Sequence, residues 1–396
     1  MHRNPEREKC KALPFGTHRN FKGWPDWVTV KDKINIVGGV FSNKESFEKI
    51  NSELAEKSFL DALHKSYGIR GTIFQKAYYV NTYLFSKLWF TAQFCKLDQK
   101  MLKKILSKAL AFIYSGENER PVNSVNFRST MEGGLGLFHP IIKAKALMVR
   151  NMYRELLSIG GDIYDMNKIR QVYGYREEFE YVIENGFSTS PSKAIYDFMI
   201  KENTHRNGSL IPSRSEKRSK NVKWGIVYKN LKLLRGVTPE EKCFAWKLSQ
   251  DMLPVGARIH RRNAEKRCLA EKEDGTFCEE IQDRDHVFRS CSTVAERYDV
   301  IIRVLNSYTE RSIGNNLLIH LAFNHRSKQR LRCAHWVAVK MLYCLYCKNQ
   351  MNKEQLLKEM IKELNWNIGL NRKIGSECEM VKVKDIIIDM MNIECV

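Results

Sequence analysis

Three cysteines and one histidine fall within Cys268-LAEKEDGTF-Cys278-EEIQDRD-His286-VFRS-Cys291, a C-x9-C-x7-H-x4-C spacing. Zinc takes four tetrahedrally placed thiolate and imidazole ligands, so the set has the number and kind of donors for one ion. His286 and Cys291 stand close enough along one helical turn or tight loop to reach the same metal. Asp274-Gly275 is a strong two-residue turn signal, and a turn there folds Cys268 and Cys278 back toward each other. The surrounding stretch is polar and charged, which leaves buried thiols no apolar core to join. The competing reading is unrelated buried residues, and it draws on a first interval wider than most zinc knuckles have. Four protein ligands leave no open position for water, so the expected Zn2+ is structural and no catalytic residue is assigned.

Basic residues crowd the approach to these ligands. Arg258, His260, Arg261, Arg262, Lys266 and Arg267 lead into Cys268, five Arg/Lys within ten residues. A second run, Arg206 to Lys223, carries six Lys/Arg against one Glu and includes Lys217, Arg218 and Lys220. Both are expected to contact phosphates, which gives affinity with little sequence preference. The bland alternative is that these charges only solvate a helix and a linker. The whole chain has 66 Lys plus Arg against 45 Asp plus Glu, a formal charge of +21 that attracts polyanions. With 19 Phe, 16 Tyr and 7 Trp available for base stacking, RNA and DNA are the expected partners. No small-molecule substrate is inferred.

The elements that must position these residues are mostly helical. Residues 1–42 read as a short β-rich piece, with Trp27–Val30 and Ile34–Val37 strand-like and Gly38-Gly39 breaking the second run. From about Phe41 to Gly116 the apolar spacing turns helical, and Met101-LKKILSKALAFIY places lysines opposite an apolar face. MEGGLGLFHP (131–140) lacks the Lys-Ser/Thr of a phosphate loop and is expected to be a tight glycine turn before a helix at 141–157. Residues 202–223 read as a linker. Thr238-Pro-Glu-Glu241 has an N-cap, an N1 proline and an acidic first turn. Helices are expected over 295–352 and 353–366. Cys344-Leu-Tyr-Cys347 lies in an apolar helical stretch and reads as two small core residues.

Hydrophobic residues make up 43% of 396, enough for a packed core and too many for a disordered chain. The N-terminus MHRNPEREKC has no apolar signal region, so secretion is not expected. Eleven cysteines then fit reduced thiols in the nucleus or cytoplasm. No apolar run is long enough to span a bilayer, and no membrane partner is expected.

Lys242-CFAWKLSQDMLPVGARIHRRNAEKRC followed by His286-x4-Cys291 resembles the zinc-binding region downstream of the polymerase in non-LTR (LINE-type) retrotransposon reverse transcriptases. The resemblance assigns that family's Cys-Cys-His-Cys ligands to Cys268, Cys278, His286 and Cys291, with nine residues in a first interval where two or three are usual. GGLGL (133–137) is similar to a post-polymerase segment, and Lys76–Trp89 (KAYYVNTYLFSKLW) to a thumb helix. Asn4-PEREK-Cys10 resembles motif D, with Lys9 as its lysine, and Ile34-NIVGGVF the segment closing the palm.

The resemblance implies a mainly α chain with a short β-rich palm remnant over 1–42 and a helical thumb-like region over 43–158. A connector with a basic linker follows over 159–222, then a zinc-binding module over 223–296 and a helical C-terminal region over 297–396. It also implies a grip on template RNA and target DNA during target-primed reverse transcription. Polymerase chemistry needs paired aspartates for Mg2+, and no Asp-Asp dipeptide occurs in the sequence. Mg2+ and RNA-directed DNA polymerase activity are therefore expected only of a full-length parent, with this chain beginning just after the Asp-Asp motif. The alternatives are a stand-alone, host-adopted nucleic-acid-binding zinc protein and a decayed copy without activity.

Overall fold

A computed structural model describes residues 10–14, 21–115, 120–121, 123–158, 191–206, 213–259, 266–268, 270, 272, 275–314, 318, 321–347, 352–369 and 377–393. The described residues are mainly helical, with short strands near the N-terminus. β1 (Lys11–Ala12) pairs parallel with β2 (Thr29–Val30). β3 (Lys33–Ile36) pairs antiparallel with β4 (Gly39–Ser42), Ile34 opposite Phe41. The turn between them is Val37-Gly38, both at positive φ (49° and 80°), as the twist of a two-residue hairpin demands. Lys9 lies outside the described residues. The chain groups into two compact units: Met1–Gly71, Gln75–Ser115 and Leu137–Leu210 form one, and Thr72–Phe74, Gly116–Gly136 and Ile211–Val396 the other. The ranges read from the sequence cut the chain at different places.

In the first unit α1 (Phe47–Ser66) starts at Ser46, whose hydroxyl accepts the Lys49 N–H. Asp98 caps α2 (Gln99–Ile113) in the same way. Phe59 and Leu63 of α1 are buried, as are Leu102 and Ile105 of α2. α3 (Pro140–Ser158) and α4 (Pro191–Arg206) meet through Ile142, Ala146 and Val149 on one side and Ile195, Tyr196 and Met199 on the other. The span expected as one helix from Lys76 to Trp89 is divided. Helix Ile73–Tyr79 runs into a π-helical turn, Val80–Leu84, before a short helix at Ser86–Trp89.

The second unit carries α5 (Trp224–Leu233), α6 (Pro239–Ser249), α7 (Ser292–Thr309), α8 (Lys328–Cys347), α9 (Lys353–Gly369) and α10 (Glu377–Ile393). Thr238 caps α6 through a reciprocal box with Glu241, as its sequence predicts. α8 packs against α6, α7, α9 and α10, and its Trp336, Val337, Met341 and Leu342 are fully buried. Burying side chains of this size stabilises by about 1.5–3 kcal/mol each. Lys340 of α8 sits 2.9 Å from both Glu241 and Glu363, tying three helices through one ammonium.

The glycine segment belongs to this unit and is a packing turn. Gly133 (φ +75°) turns its carbonyl to Trp246 Nε1 (2.8 Å) and Gln250 Nε2 (3.2 Å). A Cβ at Gly134 would lie 2.1 Å from the Arg128 carbonyl oxygen. Two other expectations need correction. Much of the 202–223 linker is anchored: a short helix, Arg214–Arg218, is capped by Ser213 and Glu216. Glu216 accepts from Arg128 Nη1 (3.1 Å) and Tyr228 OH (2.5 Å), so one acid among the basic residues pins the segment. Cys344 and Cys347 do not form a core pair either, because Cys347 ends α8 exposed.

Candidate metal centre

A hairpin brings the first two ligands together. Cys268 N–H donates to Glu280 O (2.7 Å), Cys278 N–H to Ala270 O (2.9 Å), and Lys272 N–H to Thr276 O (2.7 Å) near the tip. Gly275 stands there at φ +79°, which is the position where the turn signal predicted a fold-back. Across from Cys268 the opposing strand carries an extra residue. Glu279 N–H donates to Cys268 O (3.1 Å) while Glu280 O accepts from Cys268 N–H. Glu279 adopts φ 54°, so this is a β-bulge with its first residue left-handed. The bulge redirects the strand between Cys278 and the chain that leads to His286.

The other two ligands sit on a π-helical turn, His286–Ser290. The Cys291 N–H closes it on the His286 carbonyl (3.2 Å). A π-turn bonds residues five apart, which stacks His286 and Cys291 over one another as their spacing required. Asp283 Oδ1 accepts the His286 N–H (2.8 Å) and fixes the entry to the turn. Cys291 then serves as N-cap of α7.

The four donor atoms converge. Cys268 Sγ is 4.0 Å from Cys291 Sγ, Cys278 Sγ is 3.5 Å from His286 Nε2, and all four atoms lie within 4.8 Å of one another. A tetrahedron with zinc-like bond lengths has S···S edges of about 3.8 Å and S···N edges of about 3.6 Å. The cluster can hold a metal ion, and it is the one such Cys/His group among the described residues. Cys268, His286 and Cys291 are buried and Cys278 half-buried.

The surroundings prepare these donors unequally. Burial pushes the Cys268 thiol up to about 11, against a hydrogen bond from the Ala270 backbone. Burial also raises Cys291, but the Thr293 hydroxyl (3.0 Å from Sγ) and the Thr293 N–H outweigh it and hold this thiol below its ordinary value. The free N–H groups of a helix N-terminus favour a thiolate. Burial lowers the His286 imidazole, so it is neutral near pH 7, as a ligand must be.

Sequence reasoning missed the second layer. Arg297, 6% exposed, lies on α7 beside Cys291 and donates from Nε to the Thr293 carbonyl (3.0 Å). With a dication bound, its charge would oppose the surplus of three thiolates over that ion. Arg284 is buried 4.0 Å from the Asp251 carboxylate, which fastens the metal segment to the chain after α6. Asp283, three residues before His286, had a legible capping spacing. Nothing in the spacing announces Arg297 or Arg284, because their burial is set by tertiary packing.

The basic candidates separate. Lys217 and Lys220 are exposed. Arg267 is about half exposed, with Nη1 donating to the Glu279 carbonyl (3.0 Å), and Lys266 is half-buried. His260, Arg261 and Arg262, with the side chains of Arg218 and Arg258, lie outside the described residues. The outer face of the metal hairpin is itself acidic and partly apolar: Glu279, Glu280, Asp283 and Asp285 are exposed beside Phe277 and Ile281.

No protein-family model matches the chain, and no curated protein matches it. No helix among the described residues is long and apolar enough to cross a membrane.

Proposed function

We propose that this chain is the nucleic-acid-gripping, zinc-bearing part of a non-LTR (LINE-type) reverse transcriptase. The observation that carries the reading is the convergence of Cys268, Cys278, His286 and Cys291 at the end of the basic segment the family resemblance singled out. One structural Zn2+ would be held by these four residues and would cross-link the hairpin to the N-terminus of α7. No polymerase role is assigned to it, and the sequence has no Asp-Asp pair for Mg2+ chemistry.

Charge divides the labour within the region. The exposed acids at Glu279, Glu280, Asp283 and Asp285 repel phosphate, so that side of the hairpin acts as a clasp and the contacts come from basic residues on its entering strand and outside it. Lys217 and Lys220, with Arg218, Arg258, His260, Arg261, Arg262, Lys266 and Arg267, are the proposed phosphate contacts. RNA is the proposed template and DNA the target.

The test is equilibrium binding of the zinc-loaded chain to single-stranded RNA across a salt series. Affinity is expected to fall steeply with salt, and Arg261→Ala with Arg262→Ala to lower the slope of log K against log salt by about 1–2. A slope unchanged by that pair would remove both residues from the interface. Absence of binding at low salt would sink the functional reading as a whole.

A further inference from the structure

Trp366 is 64% exposed on α9, although tryptophan is among the side chains most buried on average. Lys358 and Lys362 precede it by eight and four residues and are exposed as well. Residues four apart on a helix share a face and rise about 6 Å per step. The three therefore form one ridge, two ammonium groups followed by an indole, along the side of α9 opposite buried Leu356, Leu357, Met360 and Leu364. An open hollow beside the ridge is lined by the same residues with Ile361, Glu363 and Asn365.

The neighbours select what the ridge can hold. Leu364 and Asn367, the residues flanking the ridge toward the core, are buried, and Asn365 is the exposed neighbour of the indole. Besides the ring, the hollow is lined by one apolar side chain, half-buried Ile361, and by four polar ones, where a protein-docking patch would be mainly apolar. Three acids lie within reach of the lysines, Glu359 three residues before Lys362 among them. Glu354 pairs with Lys358 in an exposed contact worth little, and Glu363 is turned to Lys340 at 2.9 Å. An exposed π-face at the end of a lysine track suits a strand whose phosphates follow the lysines while one base stacks on the ring.

We propose that Lys358, Lys362 and Trp366 form a stacking contact for single-stranded nucleic acid. This rests on the nucleic-acid-binding reading and adds to it a residue that engages a base. The experiment uses the full chain, zinc-loaded, and a labelled single strand of about a dozen nucleotides. Trp366→Ala is expected to weaken binding about five- to hundredfold and to leave the salt slope unchanged. Trp366→Phe restores much of the loss, because any aromatic face stacks. Lys358→Ala with Lys362→Ala is expected to lower the salt slope by about 1–2. Duplex of the same sequence, whose bases are already stacked, is insensitive to Trp366→Ala. Thermal melting of each variant is expected to stay close to the parent's, since Trp366 is 64% exposed.

If the parent chain binds no nucleic acid, the functional reading fails first. If it binds and Trp366→Ala binds equally well, this inference alone fails. Loss of binding to anionic phospholipid vesicles on Trp366→Ala, with nucleic-acid affinity intact, would also overturn it in favour of an interfacial helix.

Discussion

Arg297 shows how a single side chain can complete the candidate metal centre. With zinc bound, three thiolates would outweigh the dication by one negative charge, at a site where three of the four ligands are buried. The Arg297 guanidinium, itself buried, supplies the opposing charge next to Cys291 while bonding the Thr293 carbonyl. Arg297→Met keeps the volume and removes the charge, and it is expected to weaken zinc affinity about 10- to 100-fold in competition with a chromogenic chelator. Arg297→Lys restores part of it. An unchanged affinity in Arg297→Met would reduce the residue to a packing role.

At the scale of elements, the hairpin and the π-turn are what make four distant residues one site. Glu279 occupies a left-handed conformation in the bulge, which costs an L-residue about 1–2 kcal/mol. Glycine relieves that cost and loses about 0.4–1 kcal/mol through a freer unfolded chain. The relief is larger, so Glu279→Gly is expected to stabilise the zinc-loaded chain by about 0.5–1 kcal/mol in urea unfolding. A loss of stability would mean that the side chain contributes more than the strain it causes. These elements were legible to different depths. Asp274-Gly275 announced the hairpin and Thr238-Pro-Glu-Glu241 announced α6, because turn and cap chemistry are local. His286-x4-Cys291 told of a shared face but not of a π-turn, whose extra residue has no composition of its own. The bulge at Glu279 was hidden for the reverse reason, since a glutamate there argues against positive φ. Residues 202–223 read as linker because their charge outweighs everything else in a window, while the anchor is one acid, Glu216, meeting Arg128 far away in the chain.

For the whole molecule the pattern of charge matters more than its sum. A formal +21 attracts polyanions in general, yet the metal hairpin presents acids. Each unit also encloses a histidine, His139 in one and His335 in the other, and burial lowers both from the ordinary 6.5 to about 4. Between those values the unfolded chain takes up a proton that the folded chain refuses. Stability is therefore complete above about pH 6.5 and falls as pH drops toward 4, by up to about 1.4 kcal/mol per pH unit for each group. His335 bonds the Phe323 carbonyl, which Asn230 also donates to, so His335→Phe leaves that carbonyl a partner. The variant is expected to lose less stability than the parent between pH 6.5 and 4.5 in urea unfolding. An identical decline would clear His335 of any part in it.

The central claim is that Cys268, Cys278, His286 and Cys291 hold one metal ion as a structural clasp. Elemental analysis of the chain, purified after expression with zinc supplied, tests it most directly. The account predicts about one zinc per chain, released by a thiol-reactive reagent and absent from Cys291→Ser. Metal-free parent protein that melts at the same temperature as Cys291→Ser would contradict it.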